Sequence, residues 1–127
     1  KQQSTAEESE VGWWYMFQRE TVVGTDTLMQ SGRGPPAGRC GLSKSYFRAS
    51  DDGQTFPFHI PANAMAVVEL RHMSNMLNEL SLDDTRTQLS IASQAEALSA
   101  ELASAIEQFG IMTPENKFAY EVDGEGS

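Results

Sequence analysis

Apolar residues recur at helical spacing along two stretches in the second half of the chain. The first stretch, residues 61–80, has apolar side chains at alternating intervals of four and three residues: Ala66, Leu70, Met73, Leu77 and Leu80. The second stretch, residues 84–109, repeats this spacing: Ala95, Leu98, Leu102, Ala105 and Phe109. Because such spacing aligns side chains on one face of a helix, the pattern predicts two amphipathic helices.

The ends of both stretches carry residues that favour helix termini. Pro61 suits the first helical position, where its missing N–H is not needed. Asp83 or Asp84 can cap the second helix, and Gly110 is a suitable residue to follow its last turn. The joining turn is short, so we predict an antiparallel αα-hairpin. Three methionines of the first stretch are predicted to lie in the core: Met65, Met73 and Met76.

The rest of the chain shows no long periodic pattern. Residues 1–10 are polar and acidic and are interpreted as a linker or loop. Residues 31–60 are rich in Gly and Pro, so no regular element of length fits there, and a loop this long is typical of a functional segment. Phe118, Tyr120 and Val122 occupy alternate positions, which predicts a short strand or extended loop.

Two helices and irregular loops make a thin core for 127 residues. We therefore expect residues 11–127 to be an incomplete piece of a larger all-helical domain. The other helices of that domain would cover the apolar faces that one hairpin leaves open.

Charge and cysteine content exclude several classes of function. The chain has 18 acidic and 9 basic residues, for a formal charge of −9, and this disfavours a nucleic-acid partner, since phosphate binding depends on Lys and Arg. A single cysteine, Cys40, excludes an internal disulfide and a Cys-rich zinc site, and it is predicted to be a buried structural thiol. His59 and His72 lack metal-ligand spacing, and no apolar run is long enough to span a membrane.

The strongest candidate for chemistry lies in the Gly- and Pro-rich loop: Phe47-Arg48-Ala49-Ser50-Asp51-Asp52. An arginine beside two carboxyl groups can hold one of them ionised. The other carboxyl group, if desolvated, has a raised pKa and can donate a proton. The alternative is an Asp-rich turn in which Ser50 or Asp51 serves as a cap.

A second acidic cluster lies near the end of the sequence: Tyr120-Glu121-Val122-Asp123-Gly124-Glu125. Carboxylates at alternate positions can bind a hard cation such as calcium. Glu121 and Asp123 can instead bind sugar hydroxyls. The remaining alternative is a solvated acidic turn.

Several blocks of the sequence, taken in chain order, resemble one enzyme family. The blocks are Tyr15-x-Phe17-x-Arg19, Gly32-Arg33-Gly34-x-Pro36, Phe47-Arg48-Ala49-Ser50-Asp51-Asp52, Phe56-x-Phe58-x-Ile60-Pro61-Ala62-Asn63-x-Met65 and Tyr120-Glu121-Val122-Asp123-Gly124. This order is similar to that of the metal-independent exo-α-1,6-mannosidases of glycoside hydrolase family 125.

The resemblance implies a fold and an activity. The fold would be an (α/α)6 barrel, of which residues 11–127 would be an incomplete catalytic domain with one hairpin and long active-site loops. The activity would be removal of non-reducing α-1,6-linked mannose, with inversion, from an α-mannoside oligosaccharide or an N-glycan-derived substrate. Neither a cofactor nor a metal is implied.

The resemblance also implies roles for individual residues. Inversion needs an acid and a base roughly 6.5–9.5 Å apart. The adjacent residues Asp51 and Asp52 are poor candidates for both roles, because successive side chains usually diverge. The acid would be Asp51, favoured narrowly by analogy with related helical-barrel glycosidases, or else Asp52, which would otherwise bind sugar. The base would be a glutamate outside this sequence. Substrate contacts are expected from Arg48, Ser50, Asn63, Glu121 and Asp123.

Three hypotheses therefore remain open from the sequence. The first is a mannosidase piece that carries the acid loop, lacks the base and is inactive alone. The second is a non-catalytic carbohydrate-binding or interaction remnant of that fold. The third is a small acidic calcium-binding domain that uses Glu121, Asp123 and Glu125.

Overall fold

A computed structural model describes residues 16–80 and 85–126 of the chain. Its main feature is a pair of packed helices, α1 (Ile60–Glu79) and α2 (Thr85–Phe109). The predicted bounds of both helices are confirmed to within one residue. The predicted capping residues Asp83 and Asp84, and the predicted linker at residues 1–10, lie outside the described residues.

The helix pair is held by small and aliphatic side chains. Val67 of α1 is in the buried cluster with Leu102 and Ala105 of α2. Ser99, which is fully buried, donates its hydroxyl hydrogen to the backbone carbonyl of Val67 at 2.8 Å. Small side chains at the contact let the two helix backbones approach closely, and the hydrogen bond satisfies the one polar atom that Ser99 buries.

The buried face of α1 differs from the predicted apolar stripe. Its buried residues are Ile60, Asn63, Val67 and Ser74. The predicted stripe residues from Ala66 to Leu77 are only partly buried. The core prediction is wrong for Met65 and Met76, which are 65% and 54% exposed, because no element of the described chain covers their side of the helix.

Two short antiparallel ladders flank the helices. Strand β1 (Phe58–His59) pairs with β4 (Glu121–Val122), and β2 (Ile111–Met112) pairs with β3 (Lys117–Phe118). The first ladder joins two segments that are distant in the sequence. Its register aligns Phe58 with Val122, both of them buried, and His59 with Glu121.

The loop between residues 31 and 57 folds over the end of the helix pair, with no regular element longer than a turn in this part of the chain. Its buried anchors are Leu42 and Cys40, and Cys40 is a buried thiol, as predicted. Gly124 packs directly against Cys40: a Cβ there would lie 2.9 Å from the Cys40 sulfur. Gly124 also has a φ of 80°, so a glycine is required at this contact for two independent reasons.

The described residues thus form a mostly helical piece with loops gathered at one side. None of the helices within 16–80 and 85–126 has the length and apolar character needed to cross a membrane. The apolar residues left exposed on this piece include Met65, Val68, Leu89 and Phe118.

Candidate active site

The two adjacent aspartates lie in a closed turn. The Arg48 N–H donates to the Asp52 carbonyl at 2.9 Å, and the Asp51 N–H donates to the Arg48 carbonyl at 3.0 Å. A bridge between Phe47 and Gly53 closes the base of the turn. Asp51 is exposed and has a φ of 68°, a left-handed conformation that Asp tolerates better than most residues. The local sequence therefore does form the Asp-rich turn, with Asp51 at its tip.

The side chains of Asp51 and Asp52 have different surroundings. The Ser50 hydroxyl donates to the Asp52 carboxylate at 2.5 Å. This hydrogen bond, a second one from Thr25 and the charge of Arg48 lower the pKa of Asp52, although partial burial acts in the opposite direction. Within the described part of the chain, the Asp51 carboxylate has no such partner. Asp52 is therefore fixed in the loop and held ionised, whereas Asp51 is presented outward.

Arg48 and Glu121 form an ion pair between segments 73 residues apart. The Arg48 Nε–H donates to Glu121 Oε1 at 2.5 Å. The other carboxylate oxygen, Oε2, accepts the backbone N–H groups of Thr55 at 3.0 Å and Phe56 at 3.1 Å. The Glu121 side chain is only 5% exposed, against 24% for Arg48. One buried carboxylate thus joins three points of the loop.

The pKa of Glu121 reflects two opposing effects. Burial raises it, but the hydrogen bonds from Arg48, Phe56 and Thr55 and the Arg48 charge outweigh burial, so the pKa lies below its ordinary value. The same pairing raises the pKa of Arg48, chiefly through the hydrogen bond to Glu121. Both groups therefore remain charged at neutral pH.

Two aromatic side chains that sequence reasoning did not place at the site lie beside this ion pair. The Tyr120 ring has the Arg48 guanidinium 5.4 Å from its centroid and the His59 ring at 4.7 Å with an interplanar angle of 82°. His59 is buried, and its Nε2 has no hydrogen-bond partner among the described residues. No local signal could have revealed this grouping, because it depends on the pairing of β1 with β4.

Two other predicted site residues contact different segments. Asn63, which is 3% exposed, accepts the Ser43 N–H at its Oδ1 and donates its Nδ2 hydrogens to the Ser43 and His59 carbonyls. Asp123 accepts the N–H groups of Glu125 at 2.8 Å and Gly126 at 3.1 Å. Both side chains thus hold backbone in place, and sugar contact by either of them stays a prediction.

The acidic cluster at residues 121–125 does not close around a common point. Glu121 faces Arg48, while the Asp123 carboxylate caps the following turn. Across residues 16–80 and 85–126, no group of three or more His, Cys, Asp or Glu side chains has an arrangement that could hold a metal ion. The calcium hypothesis therefore has no geometric support within this range.

The predicted site residues divide into two groups. One group comes together around one loop: Arg48, Ser50, Asp51, Asp52 and Glu121. The sequence suggested this grouping for the first four, and Glu121 joins them only through the tertiary fold. The other group, Asn63 and Asp123, contacts different segments.

His72, predicted to lie on a helix flank, is exposed, and its Nδ1 lies 3.8 Å from the Glu69 carboxylate.

Comparisons with known proteins point to one group. A family model described as metal-independent alpha-mannosidase (GH125) matches residues 1–127. The Meiotically up-regulated gene 157 protein of Schizosaccharomyces pombe (strain 972 / ATCC 24843) is 41% identical over an alignment of 117 residues, and the match covers 89% of this chain and 22% of that protein.

A solved structure shows the same likeness in three dimensions. It is a metal-independent alpha mannosidase from Streptococcus pneumoniae in a non-productive substrate complex with alpha-1,6-mannobiose. It superposes on this chain with a TM-score of 0.76 and 32% identity, over 91% of this chain and 27% of that one. The chain therefore spans about a quarter of the length of these relatives.

Proposed function

The chain belongs to the GH125 family of metal-independent α-mannosidases, and from this membership we propose that the complete protein removes α-linked mannose from the non-reducing end of an oligosaccharide. Residues 11–127 would be part of its (α/α)6-barrel catalytic domain. The Streptococcus pneumoniae neighbour holds alpha-1,6-mannobiose and belongs to a family described in the processing of N-linked glycans. These two points support an α-1,6-linked mannose on an N-glycan-derived substrate.

The proposed reaction is hydrolysis with inversion at the anomeric carbon. An acid protonates the departing glycosidic oxygen, while a base on the other side of the sugar ring activates water. This chain would supply the acid. The base would be a glutamate outside these 127 residues, so the piece alone would be inactive.

The observation that carries the acid assignment is the difference between the two aspartates. Asp52 is kept ionised by Ser50, Thr25 and Arg48, which makes it a poor proton donor and a good acceptor for hydroxyl groups. Asp51 is exposed at the tip of the turn, where a bound sugar can reach it. A carboxyl group covered by substrate loses solvation, and that favours the protonated form that an acid catalyst needs. We therefore assign Asp51 as the acid and Asp52 as a loop or sugar-binding residue.

We also propose that Ser50, Asn63 and Asp123 contact the sugar, although their surroundings differ. Ser50 lies in the acid turn and reaches Asp52, so its hydroxyl is close to the proposed reaction. Asn63 and Asp123 would contact sugar only if a ligand reached atoms that now bind backbone groups. No cofactor enters this mechanism.

The product's anomeric form tests the proposal directly. The complete protein, incubated with α-1,6-mannobiose and followed by proton NMR, should release β-mannose first, with the α-anomer appearing only by mutarotation. A matched panel of α-1,2- and α-1,3-mannobiose should be hydrolysed more slowly. Initial release of α-mannose would contradict inversion, and binding of mannobiose without hydrolysis would favour a non-catalytic carbohydrate-binding protein.

A further inference from the structure

We infer that Glu121 is a positioning residue: its buried carboxylate clamps residues 48–56 through Arg48 at one end and the amides of Thr55 and Phe56 at the other. The catalytic consequence of this clamp rests on the proposed role of Asp51 as the acid. The clamp itself rests only on contacts within the described chain.

The accessibility of Glu121 argues against direct sugar binding. Its side chain is 5% exposed, and both oxygens are already engaged. Oε1 accepts from the charged guanidinium at 2.5 Å, and Oε2 accepts from two backbone amides at 3.0 and 3.1 Å. Because the side chain is so little exposed, a sugar hydroxyl has poor access to either oxygen, and the charge-assisted bond to Arg48 is among the stronger polar contacts in proteins. The carboxylate therefore supports the loop through these contacts.

The geometry of the turn links Glu121 to Asp51 through Arg48. The Arg48 carbonyl accepts the Asp51 N–H at 3.0 Å, and the Arg48 N–H donates to the Asp52 carbonyl at 2.9 Å. The same residue thus holds Asp51 through its backbone and Glu121 through its side chain. Any shift of Arg48 is passed to the tip of the turn.

The clamp also connects the turn to helix α1. Glu121 lies in β4, opposite His59 of β1, and β1 runs directly into helix α1. The Ile60 N–H donates to the Tyr120 carbonyl at 3.0 Å, which fixes β4 to the start of the helix. The position of Asp51 therefore depends on the helix pair as well as on the loop that carries it. A shift of about 1 Å in a catalytic group can cost about 10²-fold in rate.

Variants of Glu121 separate the two halves of the clamp. In Glu121→Gln, the amide oxygen can still accept the backbone N–H groups, but its NH₂ group now faces a guanidinium N–H. Glu121→Ala removes both halves. Arg48→Lys keeps the positive charge and removes the Nε–H donor, so it tests the same contact from the other side. Glu115→Gln, at an exposed position in the β2–β3 turn, is the matched control.

The kinetic arm uses the complete protein and α-1,6-mannobiose. We expect kcat to fall about 10²-fold in Glu121→Gln and in Arg48→Lys, with no change in the control. Mannobiose affinity, measured by calorimetry in an Asp51→Asn background, should stay within about twofold when Glu121→Gln is added. The Arg48→Lys/Glu121→Gln double variant should lose no more activity than the worse single variant. Weakened affinity with additive losses would instead make Glu121 a sugar contact and overturn the inference.

The structural arm does not depend on activity. Amide hydrogen exchange at Thr55 and Phe56 should quicken in Glu121→Ala and stay unchanged in Glu115→Gln. If the parent protein hydrolyses no mannoside yet shows this change, the proposed function fails and the clamp stands. If exchange at both amides is the same in Glu121→Ala as in the parent, the clamp is wrong, whatever the activity.

Discussion

Asn63 and Ser43 exchange two hydrogen bonds across 20 residues of sequence. The Ser43 N–H donates to Asn63 Oδ1 at 2.7 Å, and Asn63 Nδ2 donates back to the Ser43 carbonyl at 3.0 Å. The side-chain amide thus imitates one rung of a β ladder. It ties the long loop to the first turn of α1, and a third bond, to the His59 carbonyl at 2.9 Å, completes the set.

This arrangement predicts that Asn63 serves stability. In the complete protein, Asn63→Ala should lower the free energy of unfolding by about 2–4 kcal/mol, because both backbone groups of Ser43 lose their partner in a partly buried setting. Chemical denaturation measures the change, with exposed Asn75→Ala on the same helix as the control. Unchanged stability together with lost mannobiose binding would show that Asn63 acts mainly on the sugar.

Low pH should reduce the free energy of unfolding, in part through protonation of Glu121. Its pKa in the folded protein lies below the ordinary value of 4.5, so the carboxylate stabilises the fold fully above that value. This contribution is lost as pH falls through the lower, folded-state pKa. The gap in unfolding free energy between the parent and Glu121→Gln should therefore be largest near pH 7 and shrink towards pH 3.

The measurement is urea denaturation at several pH values in that range. Exposed Glu115→Gln serves as the control, and it should track the parent throughout. A gap between parent and Glu121→Gln that stays constant down to pH 3 would show that the ion pair with Arg48 does not stabilise the fold.

The helices could be predicted because their signal is local. Apolar side chains three and four residues apart lie on the same face of a helix whatever the rest of the chain does. This spacing predicted the bounds of both helices to within one residue. The buried face of α1 was less predictable, since Asn63 and Ser74 are polar and their burial depends on hydrogen bonds to other segments. Met65 is apolar and was predicted to be buried, but it is exposed because none of residues 16–80 and 85–126 covers its side of α1.

The candidate site was predictable only in part, for a similar reason. Asp51 and Asp52 are adjacent, so their turn could be recognised from sequence. Glu121 lies 73 residues from Arg48, and no spacing rule reaches that far. The pairing becomes visible only once β4 is placed beside β1.

Removal of metal ions should leave the activity of the complete protein unchanged. The family is described as metal-independent, and the described residues contain no group of three ligating side chains suited to a metal. Turnover of α-1,6-mannobiose should be equal before and after dialysis against EDTA. Activity lost in chelator and regained with one specific cation would contradict this and would return attention to Asp123 and Glu125.

The isolated 127-residue chain should self-associate or unfold in part. Its described residues leave Met65 and Phe118 65% and 68% exposed, and Phe118 also lines an apolar groove between α1 and α2. Analytical ultracentrifugation should show oligomers, which Phe118→Ser should reduce and exposed Val22→Ser should not. A monomer with a sharp cooperative melt would show that the piece is a self-sufficient domain.

The two aspartates should respond differently to the same substitution. In the complete protein, Asp51→Asn should cut kcat for α-1,6-mannobiose by about 10²–10⁴-fold, because an amide keeps the shape of the side chain but cannot protonate the departing oxygen. Mannobiose binding should survive. An aryl mannoside with a good leaving group needs less protonation, so its hydrolysis should fall much less.

Asp52→Asn is the matched comparison, since it makes the same change one residue away. It replaces one acceptor oxygen of the Asp52 carboxylate with an NH₂ group and removes the negative charge that Ser50 and Thr25 stabilise. Its main effect should therefore be weaker binding, with a similar loss for mannobiose and for the aryl mannoside. If the leaving-group dependence appeared in Asp52→Asn instead, the acid would be Asp52. If both variants kept near-normal turnover, the proton would have to come from a residue outside this turn.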